Sequence, residues 1–180
     1  MRRLRIGEGA VPILISLAVT GLLGVQVVPA VGASPGNACE LLTLKDVQGV
    51  LGGGFIPRQD VPLTGQTPVM SNCAYGKSAD NSKGNGVVIS VQLIPYDSAQ
   101  YLNMEQTGMK QQGGLAMTPV GGLGDGAFYF LGPDVQKNPE QFQLHFGKGN
   151  RLVIISAVTG GKPNIDAAQK LARIAYSRLR

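Results

Sequence analysis

The 180-residue chain has no tryptophan, one histidine and two cysteines, and these scarcities exclude several chemistries. A single histidine, His145, rules out a metal site built from several histidine ligands within one chain. Within residues 37–180 the chain also lacks the Gly-x-Ser-x-Gly turn on which many hydrolases place a nucleophilic serine. We therefore predict no cofactor, no metal site and no catalytic residues, and we do not expect an enzyme.

Charged and aromatic residues are also few, at 15% and 6% of the chain. Beyond residue 33 the basic residues are scattered except on the last helical segment, where cations complement the helix dipole. No basic stripe with interleaved aromatic residues is present, so the sequence predicts no nucleic-acid partner. The members of this C-terminal basic group are Lys170, Arg173, Arg178 and Arg180.

The first 33 residues have the layout of a secretory signal peptide. Three arginines among residues 2–5 precede the uncharged, mostly apolar run 11–28, and small residues then allow cleavage after Ala30 or Ala33. A retained membrane anchor is the alternative, because this run is close to the minimum length of a spanning helix.

These features divide the chain into a signal peptide over 1–33 and a single exported domain over 34–180. A domain of this length buries about 70% of its unfolded surface and folds without a metal or cofactor. We predict a periplasmic or secreted location, with membrane anchoring through an uncleaved leader as the alternative.

Cys39 and Cys73 are the only cysteines, and one disulfide between them accounts for both in an oxidising compartment. The alternative is a lipid on Cys39. A lipoprotein signal needs a leucine-like residue three positions before the cysteine, where this chain has Gly36, and lipidation would leave Cys73 unpaired. The spacing is also unlike the Cys-x-x-Cys of redox-active pairs. The sequence therefore predicts a structural disulfide.

Hydrophobic periodicity and turn residues predict three helices and seven strands in the exported domain. Thr43 and Asp46 form a capping box at the start of the first helix, and Asn164 caps the last. The helices are predicted over 44–51, from Asp97 to 113 and from Asn164 onward. The strands are predicted over 55–63, 70–77, 87–94, 116–120, 127–131, 141–146 and 152–158.

Short turns between consecutive strands imply antiparallel pairing. The sequence therefore predicts an α+β domain in which helices pack on one face of a mainly antiparallel sheet, closed by one disulfide. Residues 152–158 are apolar on both faces except at Ser156, which favours a central strand.

Three residues are weak binding candidates. Asp125 lies in the glycine-rich run 121–126, whose spacing differs from a dinucleotide-binding loop and which a strand follows, so we interpret the run as a turn. Tyr129 points to the face opposite its neighbours on its strand and is either covered by a helix or left for a partner. His145 faces away from the apolar positions of its strand, and we predict that it is solvated, with pH sensing as the alternative.

Several short motifs together resemble a known family. They are Cys39-Glu40-Leu41-Leu42-Thr43, Leu51-Gly52, Cys73-Ala74-Tyr75, the turn from Gly122 to Phe128 and the alanine- and leucine-rich helix from Ala167 to Leu179. The chain resembles a functionally uncharacterised family of small exported domains, largely actinobacterial and often lipoproteins. The resemblance implies export, the disulfide and the fold, and it implies no activity.

We therefore expect an exported, non-enzymatic binding or interaction module at the cell envelope. Its expected partner is a protein, a lipid or a cell-wall component. Two alternatives are a small carboxylate-dependent hydrolase that uses Asp125, and an extracytoplasmic sensor domain that acts through a membrane partner.

Overall fold

The computed structural model describes residues 37–58, 70–77, 84–113, 115–135 and 141–180, all within one compact unit. The predicted signal peptide over 1–33 lies outside the described residues, and so does most of the first predicted strand. Four helices are present in the described part. They are α1 (Ala38–Leu41), α2 (Leu44–Leu51), α3 (Ser98–Gly113) and α4 (Ile165–Arg178).

Eight strands of the described residues form one sheet. They are β1 (Ile56–Pro57), β2 (Met70–Gly76), β3 (Gly86–Leu93), β4 (Met117–Pro119), β5 (Phe128–Leu131), β6 (Phe142–Lys148), β7 (Arg151–Thr159) and β8 (Lys162–Pro163). Their order is β1-β2-β3-β7-β6-β5-β4, and β8 pairs with β7. Every pairing among them is antiparallel. The α+β class, the antiparallel sheet and the central position of β7 are confirmed.

Side-chain caps determine where the helices begin. The Thr43 backbone N–H donates to Asp46 Oδ2 at 2.8 Å, and the Asp46 backbone N–H donates to Thr43 Oγ1 at 3.4 Å, which is the predicted capping box. At α4 the Ala167 backbone N–H donates to Asn164 Oδ1 at 3.0 Å. Each bond satisfies a donor that the first helical turn leaves without a partner.

The main hydrophobic core lies between one face of the sheet and helices α1, α2 and α4. Alternate residues of β3 and β7 point into it, and α4 covers them with a stripe of small and medium side chains. Its central members are Val87, Ile89, Val91, Val153, Ile155, Ala168, Leu171, Ala172 and Ala175.

Helix α3 lies on the opposite face of the sheet, whereas the sequence predicted helices on one face. Its Leu102 packs with Phe128 and Leu152 in a second, smaller cluster. The reason is the pleat of β5, which alternates its aromatic residues between the two faces and so leaves apolar surface on both. The weakly amphipathic sequence of α3 does not show which face it covers.

The predicted disulfide between Cys39 and Cys73 is confirmed, with its Cα atoms 5.2 Å apart. It fastens α1 to β2. Next to it the buried Tyr75 hydroxyl donates to the Leu42 carbonyl, and burial raises the pKa of this phenol. A stable disulfide is typical of proteins outside the reducing cytoplasm. Among the described residues, no helix is long and apolar enough to span a membrane.

Candidate functional site

The structure does not bring the three predicted binding candidates together. Tyr129 packs against the main core, and its ring meets the ring of Phe142 edge-on at a centroid distance of 5.9 Å. His145 belongs to the opposite face of the sheet, beneath α3. Asp125 is exposed in the turn between β4 and β5. Tyr129 is therefore partly buried against this chain's own core.

The glycine-rich run around Asp125 is a tight turn that packs against α4. Gly124 has a φ of +82°, and a Cβ atom there would lie 2.9 Å from the Gly147 carbonyl oxygen. Arg173 Nη1 donates to the Gly121 carbonyl at 3.2 Å and so connects α4 to the turn. The turn leads directly into β5. Its glycines allow the backbone to approach neighbouring groups closely.

The prediction that His145 is solvated is wrong, because its side chain is only 2% exposed. Its Nδ1 lies 3.0 Å from Glu105 Oε2 of α3, and its Nε2 lies 2.9 Å from Gln143 Oε1. Its ring stacks on Phe128 at a centroid distance of 5.1 Å. The strand periodicity assigned His145 to the correct face, but only the position of α3 shows that this face is covered.

An open cleft of about 460 Å³ lies where α1, the start of β7 and the end of α4 meet. Three arginines, one carboxylate, one amide and two leucines line it. These residues are Asn37, Glu40, Leu41, Arg151, Arg178, Leu179 and Arg180. The sequence shows the basic end of α4, but Arg151 joins this group only through the fold.

Arg178 is held in the cleft by a two-pronged ion pair. Its Nη1 and Nη2 atoms lie 2.6 and 2.9 Å from the two carboxylate oxygens of Asp46, and Nη1 also donates to the Leu41 carbonyl at 3.0 Å. Hydrogen bonds from Arg178 and from Thr43 hold the pKa of Asp46 well below its usual range, although partial burial opposes this shift. The same pair raises the pKa of Arg178.

Two further cations hold the end of the chain at the cleft. Lys148 Nζ donates to the Leu179 carbonyl at 2.9 Å, and Arg151 Nη1 donates to the Arg180 carbonyl at 2.8 Å. These bonds satisfy carbonyl groups beyond the last turn of α4, where cations are favoured. The cleft therefore has cationic walls in which hydrogen bonds hold Arg151 and Arg178, with Glu40 as the carboxylate that lines it.

Within the described part of the chain, no three histidine, cysteine, aspartate or glutamate side chains gather in a way that could hold a metal ion. No protein-family model, curated protein or solved structure matches this chain. The resemblance to the exported family therefore stays a prediction.

Proposed function

We propose that the protein is an exported, non-enzymatic binding module at the cell envelope, periplasmic or secreted, and that its cleft holds an anionic ligand. The observation that carries this proposal is the lining of the cleft, in which three guanidinium groups accompany one carboxylate. Among proteins, lipids and cell-wall components, this chemistry favours those that carry a phosphate or a carboxylate.

The guanidinium group suits this role because it is planar, permanently charged and able to donate two parallel hydrogen bonds to one anion. Asp46 orients Arg178 by a two-pronged contact, which reduces the entropy lost when a ligand binds. Leu41 and Leu179 provide apolar wall surface beside the charges. A ligand that combines an anionic group with an apolar part therefore matches this lining.

Titration calorimetry of the purified protein with glycerol phosphate tests the proposal, in parallel with sedimentation of phosphatidylglycerol and phosphatidylcholine vesicles. The variant Arg151→Gln/Arg180→Gln removes two cleft charges, and we expect it to weaken binding about tenfold or more. Lys170→Gln removes one charge from an exposed part of α4 outside the cleft lining, and we expect it to change binding by less than about twofold.

Binding to phosphatidylglycerol vesicles but not to glycerol phosphate would identify a lipid headgroup as the source of the anion. Binding to both would show that the cleft recognises the anionic group itself. Equal losses in the cleft and control variants, or no binding in either arm, would refute the cleft. Hydrolytic activity that disappears in Asp125→Asn would refute the non-enzymatic part of the proposal.

Export is tested separately by the intact mass of the protein from the producing cell, with and without reductant. We expect a chain that begins at Val31 or Ser34 and gains two hydrogen atoms on reduction of one disulfide. A chain that begins at an acylated Cys39 would instead show a lipoprotein. An uncleaved chain would favour the membrane-anchored sensor.

A further inference from the structure

We infer that His145 and Glu105 form a pH-responsive latch that holds α3 against the sheet. The two side chains connect different elements, since His145 lies on β6 and Glu105 on α3, and they meet at 3.0 Å in the interface between them. The His145 side chain is 2% exposed and that of Glu105 is 19% exposed. Water therefore screens this contact much less than it screens an ion pair on the surface.

The doubly protonated imidazole can donate to both neighbouring side chains, and the neutral imidazole can bond to both once the Gln143 amide turns over. Both ring nitrogens face oxygen atoms, Glu105 Oε2 at Nδ1 and Gln143 Oε1 at Nε2. A neutral imidazole has one N–H and can donate only one of these bonds, whereas the imidazolium ion donates both. After loss of one proton, the Gln143 amide must turn over to donate to the bare nitrogen. The bond to Glu105 is then no longer an ion pair.

The other groups around the ring carry no charge. Phe128 and Phe130 of β5 present their rings at centroid distances of 5.1 and 5.5 Å. Aromatic rings attract a cation placed over their faces. On β7, the residue paired with His145 is the apolar Ile154. Among the described contacts of the ring, Glu105 supplies the charge.

Other attachments also hold helix α3 to the sheet among the described residues. Its apolar anchors are the buried Leu102 and the partly buried Tyr101 and Met109, in a cluster much smaller than the main core and separate from it. Gln106 Nε2 donates to the Gly126 carbonyl at 2.9 Å, and the Ser98 backbone N–H donates to the Gly149 carbonyl at 2.6 Å. On its outer side Met104 is 54% exposed. The His145–Glu105 pair adds a contact between charged or polar groups to these attachments, in the middle of α3.

The direction of the pH effect follows from the charges. The ion pair exists when His145 carries two protons and Glu105 carries none, so α3 is most firmly held between the titrations of the two groups. As the pH rises through the titration of His145, the ion pair is lost and the attachment of α3 weakens. Opening of α3 exposes Phe128 and the apolar cluster beneath it.

The test follows His145 and α3 in the same untagged protein. His145 is the only histidine, so its imidazole signals in a long-range ¹H–¹⁵N spectrum need no assignment. Hydrogen exchange of the amides of 98–113, corrected for the intrinsic effect of pH, is measured over the same range. As the pH rises, we expect the protection of α3 against hydrogen exchange to fall about tenfold or more. The midpoint of this fall should coincide with the midpoint of the imidazole titration.

The amides of α4 serve as an internal control, because they report global unfolding. Glu105→Gln keeps an oxygen acceptor of similar size and removes the charge, so its α3 protection should be lower at acidic pH and nearly independent of His145 protonation. The inference is overturned if the His145 imidazole signals show no change of protonation while α4 stays protected, if α3 protection stays flat through that change, or if α3 and α4 lose protection together. All three outcomes are measured on the wild-type protein and need no variant.

Discussion

Asp46 and Arg178 lie 132 positions apart in the chain and form a two-pronged ion pair with N–O distances of 2.6 and 2.9 Å. The same Asp46 carboxylate accepts a hydrogen bond from the Thr43 backbone N–H at the start of α2. One side chain therefore caps α2 and holds the end of α4. This connection also places Arg178 in the cleft that we propose as the binding site.

Replacing Arg178 with alanine should destabilise the protein by about 1–2 kcal/mol, because the variant loses the ion pair and leaves the Leu41 carbonyl without its donor. Arg178→Lys keeps the charge but cannot make the two-pronged contact, so it should recover only part of this loss. Urea unfolding measures both variants. Equal stability of Arg178→Lys and wild type would contradict a geometric role for the guanidinium group.

The lowered pKa of Asp46 predicts a specific acid sensitivity. A carboxyl group whose pKa is lower in the folded state contributes stability above its unfolded pKa of about 4 and loses that contribution as the pH falls toward the folded value. The stability of wild type should therefore decrease below about pH 4 more steeply than that of Asp46→Asn.

Arg178→Ala should show the same shallower decrease, because it removes the main cause of the pKa shift. The double variant Asp46→Asn/Arg178→Ala should add no further change in slope. Urea titrations between about pH 2 and 6 provide the measurement. Parallel pH profiles for wild type and Asp46→Asn would show that the ion pair does not contribute to acid sensitivity.

Removing the disulfide should cost about 3–4 kcal/mol in the chain-entropy model, since it joins positions separated by 34 residues. Cys39→Ser/Cys73→Ser should therefore unfold at a lower temperature than wild type. Reductant should lower the wild-type value toward that of the variant and should not affect the variant. A reductant-insensitive wild type whose cysteines are shown to be reduced would contradict the prediction.

Gly124→Ala should destabilise the protein by about 1–3 kcal/mol, because the residue has a φ of +82° and its added Cβ would lie 2.9 Å from the Gly147 carbonyl oxygen. Gly49→Ala is the matched control. Gly49 is exposed within α2 with no atom within 4 Å of an added Cβ, so alanine should stabilise that helix by up to about 1 kcal/mol. In thermal unfolding, the midpoint should be lower than wild type for Gly124→Ala and higher for Gly49→Ala. An unchanged or raised stability of Gly124→Ala would mean that contact and strain at Gly124 are negligible.

Ser156→Ala should preserve or raise stability, by up to about 1 kcal/mol. The Ser156 Oγ atom is buried in the middle of β7 and has no hydrogen-bond partner among the residues that the structure describes. Removing an unsatisfied polar atom therefore loses no bond. Val153→Ala, at a fully buried core position on the same strand, should instead destabilise the protein by more than about 1 kcal/mol. Chemical unfolding of both variants checks this contrast, and a clear loss in Ser156→Ala would reveal a bond that the serine makes in solution.

Local features of the sequence predicted the helix starts and most of the strands. Thr43 with Asp46, and Asn164 with Ala167, are separated by three residues, so their capping bonds form within a single turn. The alternation of β3 and β6 also predicted correctly which side chains share a face. The two-residue β1 and β8 were not predicted as such, because segments this short carry no measurable periodicity.

By itself, the sequence determined the α+β class, the antiparallel order of neighbouring strands and the pairing of its two cysteines, because these depend on short-range patterns and on the number of available partners. Only the tertiary structure decided that α3 covers the second face, that His145 is buried against Glu105, and that Arg151 and Arg178 line one cleft. Each of these relationships joins residues far apart in the chain. Their formation depends on which surfaces remain apolar after the sheet has formed, and no local pattern contains that information.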